Sequence, residues 1–371
     1  MPKPRLCVAQ ILPALNTGGV ERGTVEITEA LTRAGHRALV ISAGGELVGA
    51  IEKCGGEHIT LPVGDKSLFR LGLVPKLKQL LRDEHVDIVH PRSRWPAWLS
   101  WLAWRALPVT QRPHFVTTVH GFYSVNAYSA IMTRGEKVIC VSQSIYEYIQ
   151  TNYPRCARER LVVIPRGIDQ SFFEYDFKPS SHWLSQWRKE FPQLEGREIL
   201  LLPGRITRLK GHHEFINLLT RLIATGRNVH GLILGGEDPN RQQYAKELHQ
   251  TVITAGLEER ISFLGSRSDV REIMATSGIV FSLSTQPESF GRTTLEALSL
   301  GSPVIGYAHG GVDEILSQHY PIGRTAVGES EALVNKTLEL LEQPVRVKPA
   351  NIFDLSQMQD QTLDLYQQLT R

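Results

Sequence analysis

Apolar and polar positions along the chain follow two alternating rhythms. Short unbroken apolar runs at Leu6–Leu12, Ala38–Ser42, Asp87–His90, Phe115–Val119 and Lys137–Val141 have the length of strands buried on both faces. Stretches of helical periodicity lie between them. The first helix is predicted to start near Thr24 and to end at Gly35. This rhythm weakens from Ile168 to Glu195, where Asp169, Pro179, serines and several aromatic residues break the period. It restarts with runs at Ile199–Pro203, Gly231–Leu234, Ile261–Leu264, Ile279–Ser282 and Pro303–Gly306. The expected fold is therefore α/β, with two Rossmann-like doubly wound domains, residues 1–175 and 176–350, facing across a cleft. A helix at Ser356–Leu369, within 351–371, is expected to pack across both. Sheets of this kind bind ligands at the carboxyl ends of their strands, so chemistry is sought in the loops that follow them.

Composition narrows the function classes. The 371 residues carry 41 Lys plus Arg against 38 Asp plus Glu, a net charge of +3, which does not suit a nucleic-acid binder. The charge is uneven: residues 1–175 hold 21 basic and 15 acidic side chains, net +6, so an anionic surface would meet this half. Cys7, Cys54, Cys140 and Cys156 form no C-x-x-C pair, which fits free thiols in a reducing compartment. Gln10 and Pro13 interrupt the apolar start, so a cleaved signal peptide is not expected, and no run is long enough to span a membrane.

The most informative loop is Glu288-Ser-Phe-Gly-Arg-Thr-Thr-Leu-Glu296, after the apolar run Ile279–Ser282. A helix is predicted from Thr293 to Gly301. Its unpaired N–H groups, with Gly291 allowing close approach, would suit a phosphate. The two carboxylates suit hydroxyl groups instead. Phosphate and many hydroxyls together describe a nucleotide sugar. A plainer reading makes Thr293-x-x-Glu296 a capping box, with Glu296 structural. Arg205 and Lys210, after Ile199–Pro203, sit where positive charge at a helix start is unfavourable unless an anion is bound.

These segments resemble retaining glycosyltransferases of the GT-B fold, in particular glycosyltransferase family 4. Glu288 and Glu296 match its E-x7-E motif, and Gly204-Arg205-x4-Lys210-Gly211 matches its G-R-x4-K-G segment. Gly18-Gly19-Val20-Glu21, Thr118-Val119-His120-Gly121 and Gly310-Gly311-x2-Glu314 follow in the right order. The resemblance implies that Arg205 and Lys210 neutralise a departing diphosphate and that Glu296 accepts hydrogen bonds from the ribose. It implies that Glu288 lies near the donor sugar, with Ser289, Phe290, Gly291 and Thr293 contacting sugar or phosphate. His120 would contact the donor sugar. Gly18 and Gly19 would let backbone N–H groups approach phosphate or acceptor.

The implied activity is transfer of a hexose-type sugar from a nucleotide-diphosphate donor, with UDP favoured and GDP an alternative, and with retention of configuration. A glycan or glycolipid acceptor, in lipopolysaccharide or other surface-polysaccharide synthesis, is implied by the similarity of the segment His120–Ser142. No Asp-x-Asp motif or metal-ligand spacing occurs, so metal independence and no cofactor are expected. A nucleotide-sugar epimerase of the same fold and a non-catalytic nucleotide-sugar-binding protein are the alternatives.

Four tryptophans fall at Trp95-x2-Trp98-x2-Trp101-x2-Trp104, flanked by Arg92, Arg94 and Arg105. They read either as a core helix or as a segment inserted at a membrane interface. In the second reading Lys66, Arg70, Lys76, Lys78 and Arg82 add attraction to anionic lipid. The expected location is the cytoplasm, with peripheral contact on the inner face of the membrane.

Overall fold

The computed structural model describes residues 5–16, 18–65, 71–237, 242–348 and 353–371. Lys66 and Arg70 lie outside the described residues. The chain divides into two compact units, Met1–Arg166 with Leu355–Arg371, and Gly167–Asp354. The division falls at Arg166 rather than at residue 175, because the parallel strands end there.

In the first unit the order is β1 (Cys7–Ile11), α1 (Gly19–Arg33), β2 (Arg37–Ser42), α2 (Val48–Lys53), β3 (Glu57–Thr60), α3 (Leu73–Asp83), β4 (Ile88–Pro91), α4 (Arg94–Arg105), β5 (His114–Val119), β6 (Lys137–Cys140), α5 (Gln143–Asn152) and β7 (Leu161–Val163). The strands pair in parallel in the order β3-β2-β1-β4-β5-β6-β7. Successive residues of β1 feed opposite faces of the sheet. Cys7, Ala9 and Ile11 join Leu77, Leu81 and Leu99 of α3 and α4, while Val8 joins Ile27 and Leu31 of α1. The same face receives Met358, Leu365 and Tyr366 from the C-terminal helix, so that helix belongs to the first unit.

The second unit contains α6 (Ser181–Glu190), β8 (Glu198–Pro203), α7 (His212–Ala224), β9 (Val229–Leu234), α8 (Gln242–Thr254), β10 (Ile261–Gly265), α9 (Val270–Thr276), β11 (Ile279–Ser282), α10 (Arg292–Ser299), β12 (Val304–Tyr307), α11 (Gly310–His319), β13 (Arg324–Thr325) and α12 (Ser330–Glu342); the C-terminal helix is α13 (Leu355–Leu369). Its parallel sheet runs β10-β9-β8-β11-β12-β13. Both units are Rossmann-like.

Two further sequence expectations change. Helix α1 begins at Gly19, not near Thr24, because Gly18 stays extended (φ 174°) and glycine at the next position still enters the helix. The irregular stretch Ile168–Glu195 contains α6. Ser180 accepts a hydrogen bond from the Trp183 N–H, and Trp183 stacks on Trp187 at 5.0 Å between centroids. The tryptophans of α4 are half-buried core residues. Trp98 donates to the Tyr128 carbonyl (2.9 Å) and Trp104 to the Pro113 carbonyl (2.7 Å), so these indole N–H groups point inward.

Candidate functional site

In the second sheet, β8 and β11 are neighbours from which the chain winds outward in opposite directions. The loops after them flank the topological switch point, the usual ligand position in such sheets. Two glycines let these loops approach. Gly211 (φ 74°) ends the loop after β8, and a Cβ there would lie 2.0 Å from the Leu283 carbonyl oxygen. Gly310 (φ 61°) opens α11, where a Cβ would lie 2.5 Å from the Glu288 carbonyl oxygen. The Gly311 N–H donates to that carbonyl at 2.8 Å, which pins the Glu288 backbone against the start of α11.

The Glu288 side chain is thereby turned toward Lys210. Lys210 Nζ donates to Glu288 Oε1 at 2.8 Å, and the Ser284 hydroxyl donates to the same oxygen. His309 Nε2 in turn donates to the Ser284 carbonyl at 2.8 Å. Burial pushes the Glu288 carboxyl up, but the Lys210 charge, the two hydrogen bonds and His309 outweigh it and hold the group below its usual range. Glu288 is thus an anion in a shielded place, and Lys210 is a fixed cation beside it. Arg205, at the head of the same loop, is exposed and has no ion-pair partner among the described residues.

Helix α10 begins at Arg292, capped by Gly291 in the left-handed region (φ 93°) with no side-chain cap. Thr293 therefore lies inside the helix, and the alternative reading as a capping box does not hold. Glu296 is instead buried one turn in, 3.3 Å from Arg292 Nε. The first-turn N–H groups of α10 lack intrahelical acceptors and open toward the loop. Ser289 is half-buried. The Phe290 ring is core, edge-on to Phe353 at 5.4 Å, so only its backbone is free to meet a ligand.

The first unit carries its own cluster. Gly18 and Gly19 start α1, and the Glu21 carboxylate folds back over Gly18, so close that a Cβ there would lie 2.2 Å from Oε2. The N-terminus of α1 thus already faces an acidic group. His120 ends β5. Its Nδ1 lies 2.6 Å from Arg166 Nη2, and its Nε2 is buried without a hydrogen-bond partner among the described residues. Burial, then Arg166, Arg92 and His90, push the imidazole well below its ordinary value. Buried His90 links Thr118 (2.7 Å) to Tyr366 of α13 (2.6 Å), and buried Arg92 donates to Gln10 Oε1 (2.9 Å). Sequence reasoning missed Arg166, Ser284 and His309. The available signal was position: Arg166 follows β7, Ser284 follows β11 and His309 follows β12, all at carboxyl ends of parallel strands.

Among the described residues no group of three or more His, Cys, Asp or Glu side chains is placed to hold a metal ion. No described helix is long and apolar enough to cross a membrane.

Comparison with known proteins gives the family and the fold. The model of Glycosyltransferase Family 4 matches residues 17–172, and that of Glycosyl transferases group 1 matches residues 185–353. N-acetyl-alpha-D-glucosaminyl L-malate synthase of Bacillus anthracis is 26% identical over 74% of this chain and 70% of its own. A glycosyltransferase from Rickettsia africae superposes with a TM-score of 0.87 at 28% identity over 99% of both chains. HepE of Anabaena, solved with UDP and glucose, shares the fold, with a TM-score of 0.83 at 22% identity over 97% of this chain and 99% of its own. The chain belongs to glycosyltransferase family 4, on a GT-B fold of two Rossmann-like units.

Proposed function

We propose that the protein transfers a hexose-type sugar, with retention of anomeric configuration, from a nucleotide-diphosphate donor, UDP-linked in preference to GDP-linked. The observation that carries this is the Lys210–Glu288 pair beside the open start of α10, with exposed Arg205 on the same loop. Pyrophosphate gains negative charge as the sugar departs. Fixed cations stabilise that charge more in the transition state than in the ground state. Lys210 and Arg205 do this without a metal ion. Glu288 orients the sugar hydroxyls and stabilises the positive charge that develops on the ring. Glu296 receives the ribose hydroxyls, while Ser289, Gly291 and Thr293 offer hydrogen bonds to the donor. The departing phosphate takes the acceptor's hydroxyl proton on the same face, so no carboxylate nucleophile is required. That HepE of Anabaena was solved with UDP supports the choice of base.

The acceptor is a glycan or glycolipid, in lipopolysaccharide or other surface-polysaccharide synthesis; the residues His120–Ser142 support this class. Peripheral contact with anionic membrane at the cytoplasmic face is assigned to the first unit. Arg105, Arg112 and Arg134 lie over the rings of Trp101 and Trp104 at 4.4–4.8 Å, giving a cationic and aromatic surface.

The test is a panel of UDP- and GDP-sugars scored by thermal shift, followed by product analysis with and without acceptor. A raised melting temperature with one donor and an acceptor-dependent α-linked product support the reading. Sugar interconversion without acceptor would identify an epimerase. Binding without any product would identify a non-catalytic binder. Full loss of activity in EDTA, restored only by a divalent ion, would refute metal independence.

A further inference from the structure

We propose that Arg166 is the positioning residue that fixes His120 as a hydrogen-bond donor through Nε2, and that Gly23 is the gap in α1 that admits the guanidinium. A guanidinium has donors and no acceptor. At 2.6 Å from Arg166 Nη2, His120 Nδ1 must therefore present its lone pair, which leaves the ring proton on Nε2. That Nε2–H is buried and meets no acceptor among the described residues. A buried donor left unmet is uncommon and points to a ligand oxygen. The ring backbone is fixed as well, since the His120 N–H donates to the Tyr123 hydroxyl at 3.2 Å. The assignment of that oxygen to a sugar hydroxyl rests on the transferase reading above. The assignment of the proton does not.

The charged and titratable groups facing the ring are Arg166, Arg92, His90 and Tyr123. A third positive charge among them is disfavoured, so the imidazole stays neutral and donates rather than acting as a base. Gly23 explains how Arg166 arrives. A Cβ at Gly23 would lie 2.3 Å from Arg166 Nη1 and 3.2 Å from Arg92 Nη2. Those contacts are the guanidinium tips of the two side chains, so alanine fits the helix only by displacing them. Alanine also has the higher helix propensity. Gly23→Ala therefore separates positioning from stability: α1 gains, and the Arg166 contact is lost.

The experiment uses ¹⁵N-histidine-labelled full-length protein, with the His120 signals assigned through His120→Gln. The parent should show Nδ1 unprotonated and Nε2 protonated, unchanged between about pH 5 and 8. In Arg166→Met and Gly23→Ala the two tautomers should mix and the ring should titrate within that window, while Arg166→Lys should retain part of the parent pattern. With a donor sugar, Arg166→Met and Gly23→Ala should lose about 10- to 100-fold in kcat, with donor KM changed less than about threefold. Gly23→Ala should keep the parent melting temperature or exceed it. A parent ring with bare Nε2, or spectra in Arg166→Met identical to the parent, would overturn the proposal. The nitrogen shifts need no substrate. Expected shifts in a protein that turns over no nucleotide sugar would uphold the proton assignment and sink the transferase reading instead.

Discussion

Replacing Lys210 by methionine removes the cation from the switch point and keeps most of the stem's volume. The Lys210 side chain is 30% exposed, so an effective dielectric near 20 is the right order for this site. At about 4 Å, one unit of charge on a departing pyrophosphate oxygen then interacts with Nζ by about 4 kcal/mol. The leaving group gains roughly one charge as the glycosidic bond breaks, so most of this acts on the transition state. The expected loss is up to about 10³-fold in kcat. Release of nucleoside diphosphate under saturating donor and acceptor measures it directly. The same variant changes a second observable. In the parent, Lys210 and its neighbours hold the Glu288 carboxyl below the ordinary 4.5 despite burial. A depressed carboxyl keeps its charge above its ordinary pKa and loses it as pH falls through the lowered value. Without Lys210, burial dominates and the acid limb of activity should move upward, past the parent's. A kcat within about threefold of the parent, with an unmoved acid limb, would refute the electrostatic reasoning.

Three further outcomes are expected. Gly211→Ala should destabilise the protein by more than about 2 kcal/mol in chemical denaturation, because left-handed backbone costs about 1–2 kcal/mol and the new methyl meets the Leu283 carbonyl at 2.0 Å; Gly226→Ala (φ 86°, nothing within 4 Å) should pay only the backbone cost. Glu296→Gln should raise donor KM about 10-fold with a smaller effect on kcat, since a charge-assisted hydrogen bond to ribose is weakened rather than a reacting group removed; an unchanged KM would separate Glu296 from the donor. In liposome flotation the protein should float with anionic but not neutral vesicles, and Arg105→Gln with Arg134→Gln should weaken this by about 1 kcal/mol per charge; equal recovery from both vesicle types would remove the membrane contact.

What could be read from sequence depended on whether the signal was local. Parallel strands buried on both faces announce themselves as apolar runs, and β1, β2, β5, β6 and β8 were all visible this way. β3 carries Glu57, His58 and Thr60 at the sheet edge, so its polar residues hid it, and β13 is too short to signal. Helix α6 was lost because its apolar face is made of large aromatics flanked by serine and proline, which resemble loop composition. The loop glycines, Lys210 and Glu288 were legible because close backbone approach and phosphate chemistry demand those residue types at fixed places. Ser284 and His309 were not, since their roles arise only when the loops after β11 and β12 meet. Arg166 was hidden for the same reason: its partner lies 46 positions away, and only folding brings them to 2.6 Å.

A crystal structure of the protein grown with UDP decides whether the switch point of the second sheet holds the donor. Pyrophosphate density is expected within hydrogen-bond distance of Lys210 Nζ and of the first N–H groups of α10, with ribose hydroxyls on Glu296. Ordered nucleotide elsewhere, or none at saturating concentration, would contradict this placement.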